Sequence, residues 1–68
     1  MKNLIKVERA RHDLSQAALA DKVNVSRQTI HSIEKGRFVP STVLAMKIAT
    51  ILEIRVDDLF ELEASDWE

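Results

Sequence analysis

Apolar positions recur along this chain with helical spacing, and at short intervals the run is stopped by residues suited to caps and turns. Leu4 to His12 reads as a first helix with apolar positions at Ile5, Val7 and Ala10, its stripe interrupted by Glu8. Asp13 tolerates left-handed backbone and is expected to end it. Ser15 is a suitable N-cap for a second helix, Gln16 to Val23, with Leu19, Ala20 and Val23 on one face. Asn24 supplies a left-handed turn. Ser26 caps a third helix, Arg27 to Lys35, and Gly36 follows where a helix C-terminus favours glycine. After a loop ending at Pro40, Ser41 or Thr42 caps a fourth helix, Val43 to Leu52, in which Leu44, Ile48, Ile51 and Leu52 form a core stripe. A short fifth helix is expected from Asp57 to Phe60, with acidic residues at its N-terminus where the dipole favours them. The pattern therefore predicts an all-α, compact five-helix domain over residues 1–62. An acidic tail, 63–68, follows, and residues 61–68 are expected to be mobile or extended.

The second and third helices are joined by only three residues, which demands a close, steep crossing. Ala20 is small enough to let the next helix approach its backbone, Asn24 makes the turn, and Val25, Ile30 and Ile33 lock the pair together. This is a helix-turn-helix arrangement, in which one helix crosses a DNA backbone and the next lies in the major groove. At about 100° per residue, Arg27, Gln28, His31, Ser32 and Lys35 fall within an arc of about 140°, while Ile30 and Ile33 point the other way. No acidic residue lies on that arc; Glu34 falls just outside it. Arg can bond guanine O6 and N7 in a bidentate manner, Gln can do the same with adenine N6 and N7, and Ser adapts to either.

The charge balance sharpens this picture. The chain carries a net charge of −1, which taken alone argues against a polyanionic partner. Its distribution argues for one: residues 1–40 hold eight basic and four acidic side chains, and residues 41–68 hold two basic and seven acidic. One half is suited to DNA and the other to facing away from it. The chain has no cysteine, so neither a disulfide nor a thiolate site is available. No apolar run approaches the roughly 20 residues of a membrane span, and the N-terminus lacks the pattern of a signal peptide, so a cytoplasmic location without membrane contact is expected. His12 and His31 stand on different helices with no third ligand type near either, so no metal site and no cofactor are expected. With 68 residues there is little room for a catalytic cleft, and an enzyme is not expected.

The stretches Leu14-Ser15-Gln16-Ala17-Ala18-Leu19-Ala20, Val25 through Gly36, Pro40-Ser41, Lys47-Ile48-Ala49 and Asp57-Asp58-Leu59-Phe60 resemble the family of phage Cro and lambda-type repressors, also called the XRE family. The resemblance spans residues 4–62 and includes small stand-alone regulators. It implies a lambda-repressor-like fold and a transcriptional regulator that binds double-stranded DNA. By that resemblance Arg27, Gln28 and Ser32 occupy base-reading positions. Gln16, Ser26, Thr29, His31, Lys35 and Arg37 would contact phosphates or support the readers, and Arg9 and Glu34 would form an internal salt bridge. Asn24, Asp13 and Glu53 stand where the family often has glycine, and Glu8 where it usually has an apolar residue.

One reading helix covers only a few base pairs, so a homodimer on a palindromic operator is expected, with reading helices about 34 Å apart. A monomer that assembles on DNA is the alternative. Leu4, Phe60 and Leu62 are the apolar candidates for the shared interface, where small relatives can add a short C-terminal strand. So small a chain has little surface for recruiting polymerase, which favours repression by occlusion. The rival function is that of an antitoxin, which binds a protein toxin as well as its own promoter; the tail with its single tryptophan, Trp67, would suit such a partner.

Overall fold

The computed structural model describes residues 1–68. A two-residue strand β1 (Lys2–Asn3) leads into α1 (Ile5–Arg11), α2 (Gln16–Val23), α3 (Arg27–Glu34), α4 (Thr42–Ile51) and α5 (Val56–Leu59); strand β2 (Phe60–Glu61) and a 3-10 turn (Ala64–Trp67) complete the chain. Three helices start in the same way. The hydroxyls of Ser15, Ser26 and Ser41, each in extended backbone, accept from the amide three residues on, Ala18, Thr29 and Leu44, at 3.0, 3.1 and 3.1 Å. Each bond satisfies one of the free N–H groups of a first helical turn. Ser41, not Thr42, is thus the cap of α4.

The ends of α1 to α4 also share one device. Asp13, Asn24, Gly36 and Glu53 have φ of 55°, 60°, 74° and 55°. The amide after each reaches back five residues: Leu14 to Arg9, Val25 to Ala20, Arg37 to Ser32 and Ile54 to Ala49, at 2.9, 3.0, 2.9 and 3.0 Å. These are Schellman closures. In three of them the residue after the left-handed one is apolar, and Leu14, Val25 and Ile54 pack against the core. Left-handed backbone costs a residue with a Cβ about 1–2 kcal/mol. Glu53→Gly is accordingly expected to raise the unfolding free energy by about 0.5–1 kcal/mol, read as a higher urea midpoint at unchanged slope; a lower midpoint would show that the Glu53 side chain makes a compensating contact.

The core consists of Ile5, Leu19, Ala20, Val23, Ile30, Ile33, Ala45, Ile48, Ala49, Leu52, Leu59 and Phe60, drawn from every helix. α1 departs from the expected stripe. Ile5 is fully buried, but Val7 and Ala10 are not, and Glu8 is buried. The helix turns its Ile5–Glu8 edge inward, and the Glu8 carboxylate lies 3.6 Å from the Arg11 guanidinium at the solvent margin.

The two strands add a small antiparallel ladder to an otherwise helical domain, pairing Lys2 with Glu61 and Asn3 with Phe60. The short C-terminal strand is therefore present, but its partner is the chain's own N-terminus. Asn3 links the ladder to the helices: its Nδ2 donates to the Ile33 carbonyl at 2.9 Å and its Oδ1 accepts from the Ile5 amide at 3.2 Å. Residues 63–68 also differ from expectation. Glu63 and Asp66 form a capping box around the 3-10 turn, and the Met1 ammonium lies 2.8 Å from the Glu63 carboxylate and 3.2 Å from that of Asp66. The hydrogen bond from the Glu63 backbone, followed by that from the Met1 ammonium, holds the Asp66 carboxyl below its ordinary range.

Candidate nucleic-acid interface

α2 and α3 build the site. Ala20 is 2% exposed beneath α3, and Asn24 turns the chain at φ 60°, ψ 46°. Ile30 and Ile33 are buried at 0% and 1% and fix the rotation of α3 about its own axis. That rotation leaves Arg27, Gln28 and Lys35 exposed and His31 and Ser32 half-buried on the outward side. Ser26, Gln28, Thr29 and Ser32 line one wall of a shallow depression that Arg37 and Phe38 complete from the following loop. Ser26 and Thr29 are tied by their hydroxyls at 2.9 Å as well as by the cap. The structure thus brings the expected readers and most of the expected phosphate contacts to one surface.

Glu34, at the edge of that surface, is neutralised from behind. Arg9 Nε and Nη2 donate to its two carboxylate oxygens at 2.7 and 3.1 Å, and Arg9 Nη1 donates to the Leu14 carbonyl at 2.9 Å. The side chains are only 14% and 7% exposed. Gln16, at the first position of α2, turns toward α3: its Nε2 lies 3.3 Å from Glu34 Oε1 and 3.4 Å from His31 Nδ1. A single polar network therefore ties α1, the α1–α2 loop, α2 and α3 beneath the reading face. The first turns of α2, α3 and α4 contain no acidic residue, whereas α5 has Asp57 and Asp58 in its first turn. Carboxylates would complement the helix dipole there but would repel phosphate.

Residues 5–59 match the helix-turn-helix family, which covers both reading elements and the core that supports them. The chain belongs to the helix-turn-helix family of Cro and XRE type. As a member it is a DNA-binding protein of the transcription-regulator class, which is not an enzyme class. It is 51% identical to an HTH-type transcriptional regulator of Methanocaldococcus jannaschii over 63 residues, covering 93% of this chain and 96% of that one. It is 48% identical to an HTH-type transcriptional regulator of Bacillus subtilis, with 93% and 96% covered. Its fold is similar to the crystal structure of the restriction-modification controller protein C.AhdI from Aeromonas hydrophila, with a TM-score of 0.75 and 32% identity over 82% of this chain and 85% of that one. No helix of this regulator is long and apolar enough to cross a membrane.

The apolar surface of this helix-turn-helix protein differs from the sequence expectation. Phe60, expected at a shared interface, is 9% exposed and belongs to the core of its own chain, because β2 turns it inward beside Leu59. Leu4 and Leu62 are exposed, at 48% and 57%. Sequence reasoning missed Val39, Val43 and Met46, which are 61%, 63% and 56% exposed. Val39, Pro40, Met46 and Val56 line one apolar depression, and Val43 stands one turn before Met46. The 3.6-residue period of α4 was the available signal: its apolar residues occupy more of the circumference than one buried face can use. Asn3 was also missed, for its bond to Ile33 joins positions 30 apart in sequence.

Proposed function

We propose that the protein is a sequence-specific regulator that binds a palindromic operator as a homodimer, with α3 in the major groove. The carrying observation is the outward arc of α3. It presents Arg27, Gln28 and Ser32, is flanked by Lys35 and Arg37, and has its one neighbouring carboxylate, Glu34, paired with Arg9. Side chains of these types match base edges, and the cations beside them match phosphates. Occupying an operator in this way represses by excluding polymerase, in the cytoplasm of a prokaryotic cell. The dimer contact is assigned to the Val39, Val43 and Met46 surface, since exposed apolar side chains clustered on one face mark an interaction site. The antitoxin reading gains no observation in its favour.

Selection of bound sequences from random duplex DNA at fixed salt, with sedimentation of the protein alone and on the selected DNA, tests this reading. Two inverted half-sites one helical turn apart are expected, bound by a dimer. Met46→Glu is expected to give a folded monomer with much weaker operator binding. A failure to enrich any sequence would overturn the DNA-reading assignment. A single half-site bound by a monomer would overturn the dimer. Dissociation by Leu4→Glu or Leu62→Glu, but not by Met46→Glu, would move the interface to the ladder end of the domain.

A further inference from the structure

The polar network beneath α3 has a direction. Glu34 is an ionised acceptor with both oxygens engaged by Arg9, and it can offer Gln16 only an oxygen. Gln16 must therefore present its NH2 group, and not its carbonyl, to Glu34. The NH2 group has two hydrogens. One is directed at Glu34 Oε1 at 3.3 Å, and the other meets His31 Nδ1 at 3.4 Å. Facing an N–H, His31 Nδ1 must be the acceptor, so the neutral ring carries its proton on Nε2. What remains to Gln16 is Oε1, an acceptor, which a phosphate oxygen cannot bond.

We infer that Gln16 is a positioning residue that holds His31 as a donor toward DNA, and that it is not itself the phosphate contact its place at the start of α2 suggests. The chain runs Arg9, Glu34, Gln16, His31, and its outer end is the His31 Nε2–H on the reading arc, one turn from both Arg27 and Lys35. That donor fits an acceptor on the DNA: a purine N7 or guanine O6 in the groove, or a phosphate oxygen at its edge. Charge at the inner end fixes the orientation of a neutral hydrogen-bonding group at the outer end. This inference rests on the DNA-binding reading above.

A double-mutant cycle on operator binding separates the alternatives. Gln16→Met keeps the length and packing of the side chain and removes its donors. It is expected to weaken operator binding roughly tenfold, the scale of one lost hydrogen bond, and His31→Ala to do at least as much. In the His31→Ala background, Gln16→Met is expected to change affinity less than about twofold, because the residue acts through the ring. Costs that add in full would overturn the inference, whether Gln16 touches phosphate directly or merely supports α3. A nitrogen-15 correlation spectrum of the free protein is expected to show the His31 proton on Nε2; a proton on Nδ1 of the neutral ring would equally overturn it. Replacing single operator purines by their 7-deaza analogues, or single phosphates by methylphosphonates, identifies the acceptor. The penalty at one position should vanish in the His31→Ala protein, and no such position would mean that the ring bonds nothing on the DNA. If no specific operator exists, it is the DNA-reading assignment that fails; an operator bound with additive costs leaves that assignment standing and removes only this one.

Discussion

Replacing Arg9 by alanine is expected to lower the midpoint of thermal unfolding by roughly 15 °C or more and to weaken DNA binding beyond what unfolding accounts for. Both effects follow from Glu34. Its side chain is 7% exposed and takes two charge-assisted hydrogen bonds from one guanidinium. Without Arg9, a carboxylate already removed from water retains one neutral donor, Gln16, and the Leu14 carbonyl in the α1–α2 loop loses its partner as well. Breaking a buried pair by deleting one member costs about 3–5 kcal/mol, mainly because the other charge is stranded. A domain of this size has at most the lower part of the usual range of about 5–15 kcal/mol to lose. Removing both charges should be milder: Arg9→Met with Glu34→Leu strands nothing and is expected to recover most of the loss. The binding effect has a separate origin. An unpaired Glu34 stands at the edge of a surface meant for phosphates, and its repulsion should appear as a salt-sensitive loss at temperatures where the variant is still folded. An Arg9→Ala protein that melts within about 3 °C of the parent would show that the pair positions α3 without stabilising the fold.

Much of this architecture is legible in the sequence, because the signals are local. A serine before an apolar-periodic run marks the starts of α2, α3 and α4, and the hydroxyl of each does accept from the amide three residues later. Asp13, Asn24 and Gly36 mark helix ends, and all three are left-handed. The facing of α3 is legible because two isoleucines suffice to orient eight residues. What could not be read involves long separations or weak local preference. β1 and β2 contribute two residues each, too few for an alternating pattern, and they pair across nearly the whole chain. Phe60 reads as outward because it ends an acidic helix, yet its strand, held by β1, turns it into the core. Glu8 reads as a solvent residue by type, while its place one turn after Ile5 carries it beneath the helix. The tail is polar for most of its length, and its composition does not reveal that Glu63 and Asp66 meet the Met1 ammonium.

Joint replacement of Arg27 and Gln28 by alanine is expected to abolish discrimination between operator and random DNA while leaving the fold intact. Both side chains are exposed, so stability should stay within about 0.5 kcal/mol of the parent. Arg27 in fact occupies the first position of α3, where a helix dipole disfavours a cation, and its removal should stabilise the free protein by a few tenths of a kcal/mol. A cation kept where the local field opposes it indicates a role outside the folded chain. A good bidentate base pairing contributes about 1–3 kcal/mol of discrimination, so removing two in each half-site takes away most of the roughly 10³–10⁷ that separates specific from non-specific binding. Lys35→Ala and Arg37→Ala provide the contrast. If these cations meet phosphates, affinity should fall by a similar factor on every sequence, and the slope of log K against log salt should flatten by about 0.9 for each phosphate no longer neutralised. The Arg27 and Gln28 variant should instead lose its preference with little change in slope on random DNA. A variant that still selects the parent operator from a random pool would show that sequence is read elsewhere, by Ser32 and the His31 ring or through the shape of the DNA, and α3 would then serve to dock the domain without reading through its first turn.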